Sequence, residues 1–243
     1  MDGKNLQLIG HLEELRNRII LTLLSFIGFV VIGFIFVKPI YSWLIKDLNT
    51  KLAVLGPSEI LWVYLMIAAV IAMALTIPVA AFQVWRFVSP ALSRRERQIT
   101  LRFIPPLFFL FLAGIAFGYL LLFPIVLGFL LSLSEGQFEM MFTADKYFRF
   151  MLSLTVPFGL LFEMPLVVLF LTRLGILNPI RLKKARKVSY FILIVVSVLI
   201  TPPDFLSDVL VIVPLLLLYE ISITLSSVVY KKQLKLSAEH SAA

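Results

Sequence analysis

The sequence predicts an all-α, polytopic membrane protein with six transmembrane helices and both termini in the cytoplasm. Hydrophobic residues make up 60% of the 243 residues and charged residues only 15%, against roughly 25% charged residues in soluble domains. The apolar residues form runs too long for buried strands, without the alternation of a membrane β-barrel. Basic residues concentrate in alternate loops, which indicates a fixed orientation in the membrane.

Six apolar runs are candidates for the roughly 20 residues that a transmembrane helix needs; in chain order they are 19–37, 60–85, 103–133, 150–174, 188–200 and 205–229. The charged segment 1–18 does not resemble a cleaved secretory signal, so we expect the N-terminus to be retained. The fifth run would measure only about 20 Å, short of a hydrocarbon core of about 30 Å. We therefore expect local bilayer thinning, or a helix that turns back inside the membrane at Pro202 and Pro203, with Asp204 at the tip.

The 22 basic residues orient the chain. Three lie in the N-terminal segment, five in the second loop, six in the fourth loop and three in the tail, whereas five lie on the opposite side. The positive-inside rule then predicts that both termini are cytoplasmic, and we attribute the net charge of +8 to membrane topology and not to nucleic-acid binding. We expect one membrane domain over 1–230 and a disordered tail over 231–243.

Two outside segments, 38–59 and 134–149, are longer than the cytoplasmic loops and contain aromatic residues, so we expect them to form an ordered cap on the membrane surface. In the third span, "GIAFG" at 114–118 permits close contact with another helix.

Glu163 lies within the apolar stretch "VPFGLLFEMPLVVLF" at 156–170. An ionised carboxylate at the centre of a membrane helix costs about 2.5 to 3.5 kcal/mol on insertion scales, so it must face protein, water or a ligand. One interpretation is a protonated, hydrogen-bonded contact between helices beside Pro165. The other is a polar point in a cavity used by a substrate or a partner.

Glu96 in "LSRRERQ" is the one acid in a loop with five arginines. If this segment is helical, the positions three and four residues away hold no arginine, which leaves the carboxylate available. It could bind a guanidinium from another molecule through two parallel hydrogen bonds, or it could be a solvated surface residue.

The stretch "HLEELRNRI" at 11–19 is amphipathic, and helical spacing pairs Glu13 with Arg16 and Glu14 with Arg18. An interfacial helix that anchors the first span is the simpler interpretation. Glu220, in the sixth span, is interpreted as a residue at the membrane interface and is given no role.

Four motifs resemble the TatC family, the polytopic component of the twin-arginine protein translocase. They are "HLEELRNRI", "FQVWRFVSPAL" at 82–92 followed by "RRER", "FGLLFEMP" at 158–165, and "TPPD" at 201–204. Together they cover most of the chain in the family's order, and the resemblance implies six spans of which the last two are short.

The resemblance implies a receptor for twin-arginine signal peptides that is not an enzyme. It places recognition of the arginine pair on Glu14 and Glu96, with Phe87 at the aromatic position of the same site. Glu163 matches the family's intramembrane glutamate, where a partner or signal-peptide helix would be contacted, and Asp204 matches the acid of the periplasmic turn. The receptor chemistry requires carboxylates that this chain's own arginines leave uncompensated.

The implied partners are TatA-type and TatB-type single-span proteins, the signal peptides of folded cargo, the bacterial cytoplasmic (inner) membrane and further copies in the working complex. The proton-motive force is the implied energy source, and no cofactor or nucleic acid is expected. An alternative is a proton-coupled secondary transporter that uses Glu163. With no cysteine and only two histidines, the chain lacks the inventory for thiolate or His/Cys metal chemistry, so an intramembrane hydrolase has no credible nucleophile and base.

Overall fold

A computed structural model describes residues 2–46, 52–92, 94–134, 141–201 and 204–241. Within these ranges the structure is all-helical, with a 3₁₀ turn at Ser89–Ala91, a π-helical turn at Gly118–Leu122 and a single isolated β-bridge. The α-helices are α1 (Asp2–Leu44), α2 (Pro57–Val88), α3 (Arg94–Leu101), α4 (Ile104–Phe117), α5 (Phe123–Ser134), α6 (Ala144–Leu161), α7 (Met164–Arg173), α8 (Pro179–Lys184), α9 (Arg186–Ile200) and α10 (Phe205–Ser241).

Five helical stretches among the described residues are long and apolar enough to cross a membrane: Gly10–Leu44, Pro57–Val88, Arg97–Leu133, Ala144–Arg173 and Phe205–Lys232. They account for five of the six predicted spans. The predicted fifth span coincides with α9, which has 15 residues. Prolines inside α1, α2, α6 and α10 do not end these helices, as is common in membrane proteins.

Two compact units make up the chain: Met1–Phe108 with Met141–Arg149, and Phe109–Met140 with Phe150–Ala243. In the first unit, α1 and α2 pack closely at Gly33, where a Cβ atom would lie 2.9 Å from the carbonyl oxygen of Ala68. A small residue is therefore needed at this crossing.

The segments expected to form a cap meet within the first unit. The backbone N–H of Ala53 donates to the carbonyl of Phe142 at 2.9 Å, and the N–H of Ala144 donates to the carbonyl of Ala53 at 2.8 Å. Tyr41 at the end of α1 stacks on Phe148 with ring centroids 5.4 Å apart. The remainder of both segments, 47–51 and 135–140, lies outside the described residues.

In the second unit, α4 and α6 contact each other through glycines. A Cβ atom on Gly114 would lie 2.8 Å from the Cα of Gly159, and one on Gly118 would lie 2.7 Å from the Cα of Thr155. The close contact predicted from "GIAFG" is confirmed. The π turn begins at Gly118 and joins α4 to α5 in one continuous helical stretch.

Polar side chains connect the remaining helices of the second unit. The hydroxyls of Thr172 on α7 and Ser226 on α10, both fully buried, lie 2.8 Å apart. Glu220 on α10 accepts hydrogen bonds from Arg186 at 2.7 Å and from the Tyr190 hydroxyl at 2.6 Å, both on α9. Glu220 therefore links two helices, which its interpretation as an interface residue missed.

The last helix differs from the sequence expectation. α10 has 37 residues, so the expectation that both of the last two helices are short is wrong for this one. Its backbone is helical through 231–241, the segment for which the composition favours a disordered tail. The physical reason is that "KKQLKLSAEHS" contains good helix formers and no proline or glycine to end the helix.

Candidate functional site

Glu14 and Arg18 form an ion pair on α1. The Nε and Nη2 atoms of Arg18 both donate to Oε1 of Glu14, the former at 3.2 Å. Arg18 also donates from Nη1 to Oε1 of Gln83 on α2, at 3.4 Å, so one guanidinium joins the two helices. The predicted pairs Glu13–Arg16 and Glu14–Arg18 are both confirmed.

The second carboxylate oxygen of Glu14 faces His11. Oε2 lies 3.8 Å from Nδ1 of His11, and the His11 ring stacks on Phe87 of α2 with centroids 4.2 Å apart and planes 16° from parallel. Glu14 and Phe87, from separate helices, thus flank one imidazole. The imidazole of His11 therefore lies between the acceptor oxygen of Glu14 and the ring of Phe87, where residues 11–18 of α1 meet residues 83–87 of α2; we call this the α1–α2 end.

Trp85 attaches α3 to the same end of α2. Its Nε1–H group lies 3.0 Å from the hydroxyl of the buried Thr100 and 3.3 Å from the carbonyl of Arg97. The guanidinium carbon of Arg97 lies 5.4 Å from the centroid of the Trp85 ring, within the range of a cation–π contact. Glu96 is on α3, but its side chain lies outside the described part of the chain.

The expectation that the site's carboxylates are uncompensated is wrong for Glu14, because Arg18 already neutralises it. The helical spacing of four residues brings this pair together, as the sequence indicated.

Sequence reasoning missed His11 and Gln83 as parts of the site. The available signal was weak: His11 is one of only two histidines, and Gln83 is a polar residue in the largely apolar α2.

Glu163 lies at a break between two helices and not within a continuous one. α6 ends at Leu161 and α7 begins at Met164. Pro165 has no N–H to donate to the carbonyl of Leu161, so the α-helical ladder is interrupted. The Oε1 atom of Glu163 is buried and has no hydrogen-bond partner among the described residues. This position therefore presents a buried acceptor oxygen to which the described part of the chain donates no hydrogen bond.

The turn after α9 has a partial description, because Pro202 and Pro203 lie outside the described residues. Asp204 accepts a hydrogen bond from the backbone N–H of Ser207 at 2.7 Å, which caps the start of α10. The hydroxyl of Thr201 donates to the carboxylate of Asp208 across the same turn. Asp204 thus has a clear structural part in beginning the last helix.

The side chains at the α1–α2 end are suited to binding a ligand. A carboxylate oxygen and an aromatic ring that flank one imidazole suit a planar cationic group with N–H donors. Arginine fits best because its planar guanidinium matches a carboxylate and stacks on aromatic faces. Glu163 suits a hydrogen-bond donor that arrives within the apolar part of another helix.

Comparison with known proteins gives one consistent result. The family model described as "Sec-independent protein translocase protein (TatC)" matches residues 10–214. TatCd of Bacillus subtilis (strain 168) is 68% identical to this chain over 235 residues, which cover 97% of both chains. TatCy of the same strain is 44% identical over 242 residues, which cover 98% of this chain and 95% of TatCy. A crystal structure described as "Twin Arginine Translocase Receptor- TatC" superposes with a TM-score of 0.77 at 35% identity, covering 90% of this chain and 99% of that one.

These matches confirm the resemblance predicted from the motifs. The protein is a multi-pass membrane protein and a component of a protein translocase, and it is not an enzyme. The chain belongs to the TatC family of Sec-independent protein translocase proteins.

Proposed function

We propose that this protein is the receptor of a twin-arginine translocase and binds the paired arginines of signal peptides at the α1–α2 end that carries Glu14 and Phe87. The observation that supports this most is the arrangement around His11, where an acceptor oxygen of Glu14 and the ring of Phe87 come together from two helices. A solved structure of similar fold is described as a twin-arginine translocase receptor.

The binding chemistry follows from how Glu14 is shared. Arg18 uses Oε1 alone, so Oε2 can accept an N–H from an incoming guanidinium while the internal pair persists. Glu96, on the helix that Trp85 attaches to α2, would take the second arginine of the pair. Selectivity for arginine over lysine then arises from the planar fork of N–H donors, which an ammonium group lacks. The apolar stretch of the signal peptide would enter between helices.

Glu163 would serve a later step, the docking of a partner or signal-peptide helix. Its buried oxygen at the helix break, which has no hydrogen-bond partner among the residues that the structure describes, can accept from a polar group that would otherwise be stranded in lipid. TatA-type and TatB-type single-span proteins are the partners we propose, together with further copies of this chain in the working complex. The complex would move folded cargo at the expense of the proton-motive force.

The proposed location is the cytoplasmic (inner) membrane of a bacterium, with α9 as the fifth of six spans in one membrane domain and both termini in the cytoplasm. Segments 38–59 and 134–149 and the turn at Asp204 would then lie on the periplasmic side. The support is the distribution of basic residues, which favours the loops on the side of the termini.

Cross-linking of a synthetic signal peptide to the purified protein tests the receptor proposal. We expect Glu96→Ala to weaken cross-linking of the Arg-Arg peptide much more than that of a Lys-Lys variant, because only arginine uses the fork geometry. Glu13→Ala is the matched control, since Glu13 is an exposed carboxylate whose partner among the described residues is Arg16. Equal loss of cross-linking for both peptides would mean that the site attracts positive charge in general and does not select arginine.

Photo-cross-linking locates the same site directly. A photoreactive amino acid at position 87 or 96 should capture the peptide near its arginine pair. Capture from neither position, with the peptide still bound, would place recognition elsewhere on the protein.

A further inference from the structure

A cavity of about 340 Å³ lies at the other end of the α1–α2 hairpin, within the first unit. Its wall combines the start of α2, which contributes Glu59 and Trp62, with the first turns of α6, which contribute Asp145 and Arg149, and with Leu55 before α2. The volume is at the lower end of the roughly 300 to 1,000 Å³ of small-molecule sites, which suits a single headgroup-sized ligand.

Two groups in the wall keep hydrogen-bonding capacity. Arg149 donates only from Nε, to both oxygens of Asp145 at 2.9 and 2.8 Å, and its two terminal nitrogens make no hydrogen bond within the described part of the chain. Glu59 accepts from the N–H of Leu55 through Oε2 at 2.7 Å, while Oε1 has no described partner. The cavity thus offers a guanidinium fork and a carboxylate oxygen at once.

The surroundings of the cavity point to a membrane lipid. Trp62 is 54% exposed in the second turn of an apolar membrane helix, the level at which tryptophan favours the membrane–water interface. Leu55 on the cavity wall is 82% exposed and Leu61, next to Trp62, is 59% exposed. If a lipid headgroup occupied the cavity, the acyl chains of that lipid would lie along these apolar side chains.

The charges select the class of headgroup. Two carboxylates and one guanidinium give the wall a net negative charge, which disfavours a purely anionic lipid. A phosphate would take the free fork of Arg149, and a primary ammonium would take Oε1 of Glu59 and the face of Trp62. We propose that this cavity binds the phosphoethanolamine-type headgroup of a zwitterionic phospholipid.

Native mass spectrometry of the full chain in detergent tests this with dihexanoyl-phosphatidylethanolamine, -phosphatidylcholine and -phosphatidylglycerol as probes. We expect the ethanolamine lipid to bind about tenfold tighter than either of the others, because only it has an ammonium with N–H donors. Glu59→Gln should remove that preference by weakening the ethanolamine lipid. Phosphatidylglycerol should bind at least as well as before, because the wall loses a negative charge and the amide oxygen can still accept from Leu55. Arg149→Gln should weaken all three lipids, because they share the phosphate.

Glu13→Gln and Arg16→Gln are the matched controls, with the same charge changes at the other end of α1, and both should bind the lipids as the unaltered protein does. If the unaltered protein bound phosphatidylethanolamine and phosphatidylglycerol equally tightly, the proposal would be overturned. So would equal losses in Glu59→Gln and Glu13→Gln. If glycerophosphoethanolamine without acyl chains bound as tightly as the lipid, the site would belong to a soluble ligand and the lipid assignment would be wrong.

Discussion

Arg18 determines how much of Glu14 an incoming guanidinium can reach. It occupies Oε1 of Glu14, and its positive charge lies within hydrogen-bond distance of the carboxylate that a second cation would bind. Gln83 holds the same guanidinium from α2, so Arg18 cannot simply swing into solvent without losing that contact as well. Arg18 is therefore an internal competitor for the site that we propose for the signal peptide.

We expect Arg18→Gln to tighten binding of an Arg-Arg signal peptide about three- to fivefold, the scale of a partly exposed ion pair. Calorimetric titration of a synthetic peptide into the detergent-solubilised protein measures the change. Arg16→Gln, which frees only the exposed Glu13, should leave the affinity as it is. Weaker binding in Arg18→Gln would show instead that Arg18 orients Glu14 for its ligand.

We expect Glu163→Gln to leave peptide binding at the α1–α2 end unchanged and to lower recovery of the complex with a TatB-type partner several-fold, since a carboxylate oxygen is replaced by a weaker acceptor. Co-purification measures assembly, and the peptide titration measures recognition. Lost peptide binding with normal assembly would contradict the assignment of Glu163.

The residues of the α1–α2 site differ in how well sequence alone could predict their contacts. The Glu14–Arg18 pair depends only on helical spacing, so the five residues from 14 to 18 are sufficient to predict it. The Arg18–Gln83 bond joins residues 65 positions apart, and the His11–Phe87 stack also crosses from α1 to α2. Neither contact is encoded in a local pattern, because both depend on the register in which the two helices pack.

At the scale of elements, the contact between α4 and α6 depends on glycine. A Cβ on Gly114 would meet backbone atoms of Phe158 and Gly159, which cannot move aside as a flexible side chain would. We expect Gly114→Ala to lower the free energy of unfolding by about 1 to 3 kcal/mol, the usual cost of overpacking. Thermal unfolding in detergent measures this.

Gly128→Ala is the control for that substitution, since a Cβ there meets no atom within 4 Å. The higher helix propensity of alanine should leave its stability equal or slightly raised. An unchanged melting temperature in Gly114→Ala would mean that the two helices can separate at no cost.

The apolar runs predicted where helices lie but not every place where they break. Runs of Leu, Ile, Val and Phe are sufficient to locate α1, α2, the α4–α5 stretch and α10, because membrane helices must satisfy their own backbone hydrogen bonds. Pro165 interrupts the fourth run, whereas Pro157 lies inside α6 without interrupting it. Proline alone therefore does not determine a break; whether a helix continues past it depends on how neighbouring helices satisfy the freed carbonyl.

At the scale of the whole molecule, the number of membrane crossings determines on which side of the membrane the C-terminus lies. Five crossings would put the termini on opposite sides of the membrane, and six would put them on the same side. α9 is the helix in question, because its 15 residues measure about 22 Å against a hydrocarbon core of about 30 Å. Arg186 and Lys187 at its start can reach up to the interface while the bilayer thins around it.

We expect six crossings, and the absence of cysteine from the chain allows single cysteines to report the side without background. In intact cells, Asn5→Cys and Ala238→Cys should both be protected from a membrane-impermeant maleimide and become labelled once the membrane is permeabilised. Thr50→Cys, in the segment between α1 and α2, should be labelled in intact cells.

The pattern of labelling separates the alternatives, because the three positions sample both ends of the chain and the first outside segment. Five crossings would show as labelling of Ala238→Cys and Thr50→Cys in intact cells, with Asn5→Cys protected. In that case α10 would cross the membrane in the direction opposite to the one expected for six crossings. The basic residues of the fourth loop and those of the tail would then face opposite sides, against the positive-inside rule. Protection of both ends requires α9 to cross despite its length, which makes this short helix the element on which the topology depends.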